Sequence, residues 1–127
     1  GKYIPAAGTP GNYQARQWNY WISTNLEVQT GRVFGADFFF EPGATTDAIR
    51  GMALGALPRF LTPLNERLTK QKYMLGAEFS VTDILLTCGL YSIRHTTILN
   101  DYPSIKKHYE TCIARPAFVK ANAMNGL

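Results

Sequence analysis

Charge and cysteine are both scarce in this chain, and long apolar runs are missing altogether. Charged residues are 17% of its 127 positions and apolar residues 46%, the balance of a single globular domain large enough to bury a core without staples. No uninterrupted apolar stretch nears the roughly 18 residues a bilayer span requires, so no membrane partner is expected. Residues 1–30 lack a basic start followed by an apolar run, and no secretory signal is visible. The two cysteines, Cys88 and Cys112, form no metal or redox motif, and a reducing cytoplasm is the expected setting. The net charge of +4 is thinly spread, with Lys70, Lys72 and the Lys106-Lys107 pair as its only clusters, which argues against nucleic acid as a partner. The chain opens on Gly1 rather than Met, as a segment of a longer protein would.

Strand signals are lacking too. Phe38-Phe39-Phe40 is short, has no partner run and is closed by Pro42-Gly43, so residues 31–44 read as a buried connector. Helical signals dominate instead. Residues 1–11, with Pro5, Gly8, Pro10 and Gly11, read as an irregular arm, and residues 12–127 as the folded domain. Tyr13, Trp18, Trp21, Ile22, Leu26 and Val28 recur at helical spacing up to a stop at Gly31. A second stripe runs from Thr45 to about Lys70, interrupted by Pro58 and Pro63, with a kink expected near 54–59. Pro103 and Pro116 fit the first helical position of two further helices. The expected fold class is all-α, a bundle of four to six helices with no sheet.

The most specific text is Phe79-Ser80-Val81-Thr82-Asp83-Ile84. Ser80 is a good N-cap whose hydroxyl can accept from the N–H of residue 83, and Asp83 can reach back to the N–H of Ser80. Phe79 and Ile84 are placed to staple across the turn. These four residues are read as a structural cap, not as chemistry. No charge follows until Arg94, so the helix from 80 to about 95 is expected to be buried on every side, at the centre of the domain. Cys88, inside it, should then be an inert thiol. His95 and His108 fall on separate expected helices without a carboxylate or cysteine at ligand spacing, so no metal is expected.

Tyr73-Met74-Leu75-Gly76, the box at Phe79–Ile84, Tyr102-Pro103 and Arg115-Pro116-Ala117-Phe118, in that order, resemble the C-terminal helical domain of cytosolic glutathione transferases, the bacterial type above all. The tryptophan-bearing first helix, with Trp18 and Trp21, is similar to that family's first helix in this domain. The resemblance implies a preceding thioredoxin-like domain, which supplies most of the glutathione site and the residue that activates the thiol. It implies that the helical domain supplies part of the pocket for a hydrophobic electrophile and part of a homodimer interface. Glutathione would be a co-substrate of the full-length protein, with no tightly bound cofactor and no catalytic residue in this chain. On that resemblance Tyr20, Thr24 and Glu27, which share one helical face, and Tyr91 and Ser92, late on the central helix, are the expected substrate-binding residues. Beta-class enzymes of the family carry Asn, His and Lys at the positions of Tyr20, Glu27 and Val28, and this sequence departs at all three. The expectation is therefore a transferase's substrate-pocket and dimerisation domain, inactive by itself. The alternative is a non-catalytic protein–protein interaction module of the kind found in elongation-factor subunits and aminoacyl-tRNA-synthetase assemblies.

Overall fold

The computed structural model describes residues 3–124. Pro10–Trp21 (α1), a π-helical turn over Ile22–Leu26, and Glu27–Phe38 (α2) follow one another without a break. Thr9 caps the start by accepting from the Asn12 amide at 3.3 Å, and Pro10, which has no amide to lose, occupies the first helical position. The helix does not stop at Gly31. That glycine lies on the exposed side, while Thr30 and Val33 are fully buried on the other. Burial of that face outweighs the roughly 1 kcal/mol that an interior glycine costs a helix.

The continuation also corrects the buried connector. Phe38 closes α2, and Phe38, Phe39 and Phe40 are all exposed, Phe39 to 73%. They pack on the end of their own helix, and Phe38 also on the His95 ring at 4.8 Å, instead of entering the core. Phe34 meets Phe38 and Phe39 at ring-centroid distances of 5.0 and 5.4 Å, and the Phe40 ring lies over Gly35, in the space a β-carbon there would need.

Ala44–Lys70 (α3) remains helical through both prolines, whose rings are on the solvent side. Its other side buries Ala53, Leu57, Phe60, Leu61, Leu64 and Leu68 against α2 and the later helices. A tight turn then pairs Tyr73 and Gly76 through both backbone bonds, at 2.9 and 3.1 Å, with Gly76 at φ +130°. Only glycine adopts that φ without strain.

Val81–Tyr91 (α4) packs against α1, the π turn, α2 and Pro103–Ile113 (α5), so it is central to the bundle. It ends four residues before the expected 95, although Ile93 in the following turns is still fully buried. A 3₁₀ turn at Ile98–Asp101 leads into α5, and Pro116–Met124 (α6) closes the described chain. Among the described residues there is no strand beyond the single Tyr73–Gly76 bridge, and the fold is the expected all-α bundle. Among the described residues no helix is long and apolar enough to cross a membrane.

Candidate functional site

The front of α4 is fixed by a buried carboxylate. Asp83 has no exposed surface, yet both its oxygens are fully engaged. Oδ2 accepts from the Ser80 amide at 2.9 Å and the Ser80 hydroxyl at 2.8 Å. Oδ1 accepts from the Met74 amide at 2.7 Å and lies 2.8 Å from His108 Nε2 on α5. The capping box therefore forms, with the carboxylate reaching beyond it to tie the 73–76 turn and α5 to the helix start. Burial opposes the charge on Asp83, but the bonds from His108, Met74 and Ser80 overcome it and hold the carboxyl below its usual range. Burial likewise opposes protonation of His108, and the bond to Asp83 with the neighbouring Cys112 overcomes that, raising it to about 9. The pair is ionic at neutral pH.

His108 was expected to have no carboxylate or cysteine at ligand spacing, and this is corrected. Asp83 is its partner across 25 positions of sequence, and Cys112, one helical turn on, has its sulfur 3.6 Å from Nε2. His95 also has a carboxylate partner, lying 2.7 Å from Asp37, which is paired to Arg50 as well. Among the described residues, no three His, Cys, Asp or Glu side chains are arranged to hold a metal ion.

The expectation that α4 is buried all round holds on one side and fails on the other. Leu86 and Leu90 are fully enclosed, but Ile84 and Cys88, a turn apart, are exposed. Their face borders a cavity of about 420 Å³, within the range of small-molecule sites. Phe79 and Tyr3 of the N-terminal arm form one end of it, and Phe118, Ala121 and Asn122 of α6 form the far wall. The lack of charge on α4 thus marks a cavity wall as well as a core.

The arm is held to this place by its backbone, since the Val81 amide donates to the Tyr3 carbonyl at 2.9 Å. Tyr3 meets the Phe79 ring edge-on, and Arg115 lies 3.7 Å above the same ring. Across the cavity, the Tyr91 hydroxyl donates to Asn122 Oδ1 at 3.0 Å, while its ring sits between Phe118 and the Arg94 guanidinium. These contacts dock α6 on α4 and give an apolar chamber two polar features, the Tyr91–Asn122 bond and Arg115. Cys88 is held above the usual thiol pKa by partial enclosure and by the nearby Glu27 carboxylate.

Of the expected substrate-binding residues, only Tyr91 borders the cavity. Ser92 is half-buried, with Oγ 3.5 Å from the Cys88 carbonyl. Tyr20, 72% exposed, and Thr24 lie on the outer face of α1 and the π turn, where the Thr24 hydroxyl donates to the Tyr20 carbonyl at 2.7 Å. Glu27 lies between the two groups, its side chain close to Gly89 and electrostatically coupled to Cys88. Of the cap residues, Ser80 and Asp83 are buried, and Phe79 and Ile84 both line the cavity. Sequence reasoning missed Cys88, Phe118 and Asn122 as wall residues. The recurrence of Ile84, Cys88 and Tyr91 on the uncharged helix was the available signal for the first of these.

A family model described as "Glutathione S-transferase, C-terminal domain" matches residues 34–121. The chain belongs to that family. Among solved structures, the bacterial glutathione transferase BphK, seen in a ternary complex, superposes with a TM-score of 0.85 at 26% identity, covering 99% of this chain and 60% of that one. A glutathione transferase from Methylococcus capsulatus is 30% identical, with a TM-score of 0.81, over 97% of this chain and 58% of the other. Among curated proteins, elongation factor 1-gamma 1 of Oryza sativa subsp. japonica is 27% identical over 108 residues, which is 82% of this chain and 25% of that protein. The chain thus spans about three fifths of these transferases and about a quarter of the elongation factor.

Proposed function

We propose that this chain is the substrate-pocket and dimer-forming helical half of a cytoplasmic glutathione S-transferase, which conjugates glutathione to, or reduces with it, hydrophobic electrophiles. The observation that carries the reading is the apolar chamber of about 420 Å³ beside α4, in a domain of this family. A chamber of that size and character suits the apolar part of an electrophile and keeps water from the reaction. Tyr91 supplies an aromatic wall, and Ser92, Glu27, Thr24 and Tyr20 extend the site along α4 and the π turn toward a thioredoxin-like partner domain. That partner holds glutathione and activates its thiol, so this half has no catalytic residue and no turnover by itself.

A second reading is favoured by one observation, the likeness to elongation factor 1-gamma over 82% of this chain. In it, the domain is a non-catalytic protein–protein interaction module. The test is a glutathione-conjugation assay with 1-chloro-2,4-dinitrobenzene, run on the full reading frame and on the 127-residue chain. The transferase reading expects turnover by the first and none by the second. Turnover by the isolated chain overturns the division of labour, and inactivity of the full frame toward a panel of apolar electrophiles favours the interaction module.

A further inference from the structure

Two thiols border the cavity, and their surroundings differ. Cys88 is exposed, but it faces partial enclosure and the negative charge of Glu27, both of which disfavour its thiolate. Cys112 is 3% exposed on α5. Its Sγ lies 3.6 Å from His108 Nε2 and 4.0 Å from Nδ1, and the imidazole is fixed by its 2.8 Å contact with Asp83. The charge on that ring is an electrostatic partner for the sulfur anion that performs nucleophilic attack. The Asp83–His108–Cys112 cluster thus sets an imidazolium, held by the Asp83 carboxylate, beside a thiol at the wall of an apolar chamber.

We propose that Cys112 is a covalent trapping site for small apolar α,β-unsaturated carbonyl compounds that enter the cavity, and that it reacts ahead of Cys88 without glutathione. In the step, the Cys112 thiol proton passes to water and the sulfur bonds to the β-carbon of the enone or enal. The carbon–carbon π pair moves toward the carbonyl oxygen, and the α-carbon then takes a proton from water, so a thioether forms with no change of oxidation state overall. Arg115, at the same cavity, is the donor available to the developing enolate oxygen. The walls from Phe79, Ile84 and Phe118 select an apolar reagent and disfavour an ionic one. The reaction shares its chamber with the transferase reading but needs neither glutathione nor a second domain, so either can fail without the other.

The test is to treat the full chain with trans-2-hexenal in glutathione-free buffer and to follow the Cys88 and Cys112 peptides by mass spectrometry after borohydride reduction. Cys112 is expected to be modified faster, by about tenfold, the effect of roughly 1.4 kcal/mol of barrier. With the anionic reagent 2-sulfonatoethyl methanethiosulfonate the order is expected to reverse. Ala121→Trp, which fills the chamber from α6, is expected to slow Cys112 more than the solvent-exposed Cys88, with the fold checked by circular dichroism. His108→Gln is expected to slow Cys112 alone; should that variant not fold, the Ala121→Trp result and the reagent comparison decide. Hexenal labelling of Cys112 no faster than Cys88, or a Cys112 rate indifferent to Ala121→Trp, overturns the proposal.

Discussion

Replacing Asp83 by alanine separates a simple helix cap from an anchor of the whole bundle. A cap interaction is worth about 1–2 kcal/mol. Asp83 does more than cap: its removal leaves the Met74 amide, the Ser80 amide and hydroxyl, and the His108 ring without their acceptor. All of this lies out of solvent, since the Asp83 side chain is 0% exposed and that of His108 is 1% exposed. Breaking a buried ion pair by deleting one partner costs about 3–5 kcal/mol, because the other charge stays behind or must be neutralised. Of a typical domain stability of about 5–15 kcal/mol, that is a large share. Asp83→Ala should therefore destabilise by about 3–5 kcal/mol in urea unfolding followed by tryptophan fluorescence, and lower Tm by roughly 10–20 °C. A loss of about 1 kcal/mol or less would refute the anchoring role and leave Asp83 an ordinary cap.

The same pair makes stability fall in alkali. Against the pull of burial, the Asp83 bond and Cys112 raise His108 from 6.5 to about 9, so its contribution of about 3 kcal/mol is complete below pH 6.5 and lost as pH rises through about 9. Urea midpoints measured from pH 6 to 10 should show the decline, and a flat profile would contradict the ion pair. Asp83 behaves oppositely: its contribution is present above 3.8 and is lost only as pH falls through its depressed value. Gly76→Ala, at φ +130°, should cost about 1–3 kcal/mol in the same unfolding experiment. Tyr91→Phe removes the bond to Asn122 and should cost about 1 kcal/mol, with faster amide exchange confined to α6.

How much of this was legible in the sequence depended on the range of the interaction. The capping box could be read because Ser80 and Asp83 are three residues apart, and local geometry decides their contact. The prolines opening α5 and α6 were legible for the same reason. His108 was not, since nothing in its own helix points to a carboxylate 25 residues earlier, although Cys112 four residues on was a local sign that went unread. Gly31 misled because a glycine breaks a helix only where packing does not hold it, and Thr30 and Val33 are buried on either side. The three phenylalanines after Asp37 misled because hydrophobicity alone does not say which way a helix end points them. The uncharged face of α4 was visible in the sequence, but whether it meets core or cavity was set by where α6 and the N-terminal arm come to rest.

The apolar chamber beside α4 is best tested by titrating the 15N-labelled chain with S-hexylglutathione and following amide shifts. If the chamber takes the apolar part of a glutathione conjugate, shifts concentrate on residues 84–91 and 115–122. Shifts confined to the exposed aromatic corner at Phe38–Phe40, or none at millimolar ligand, would contradict it.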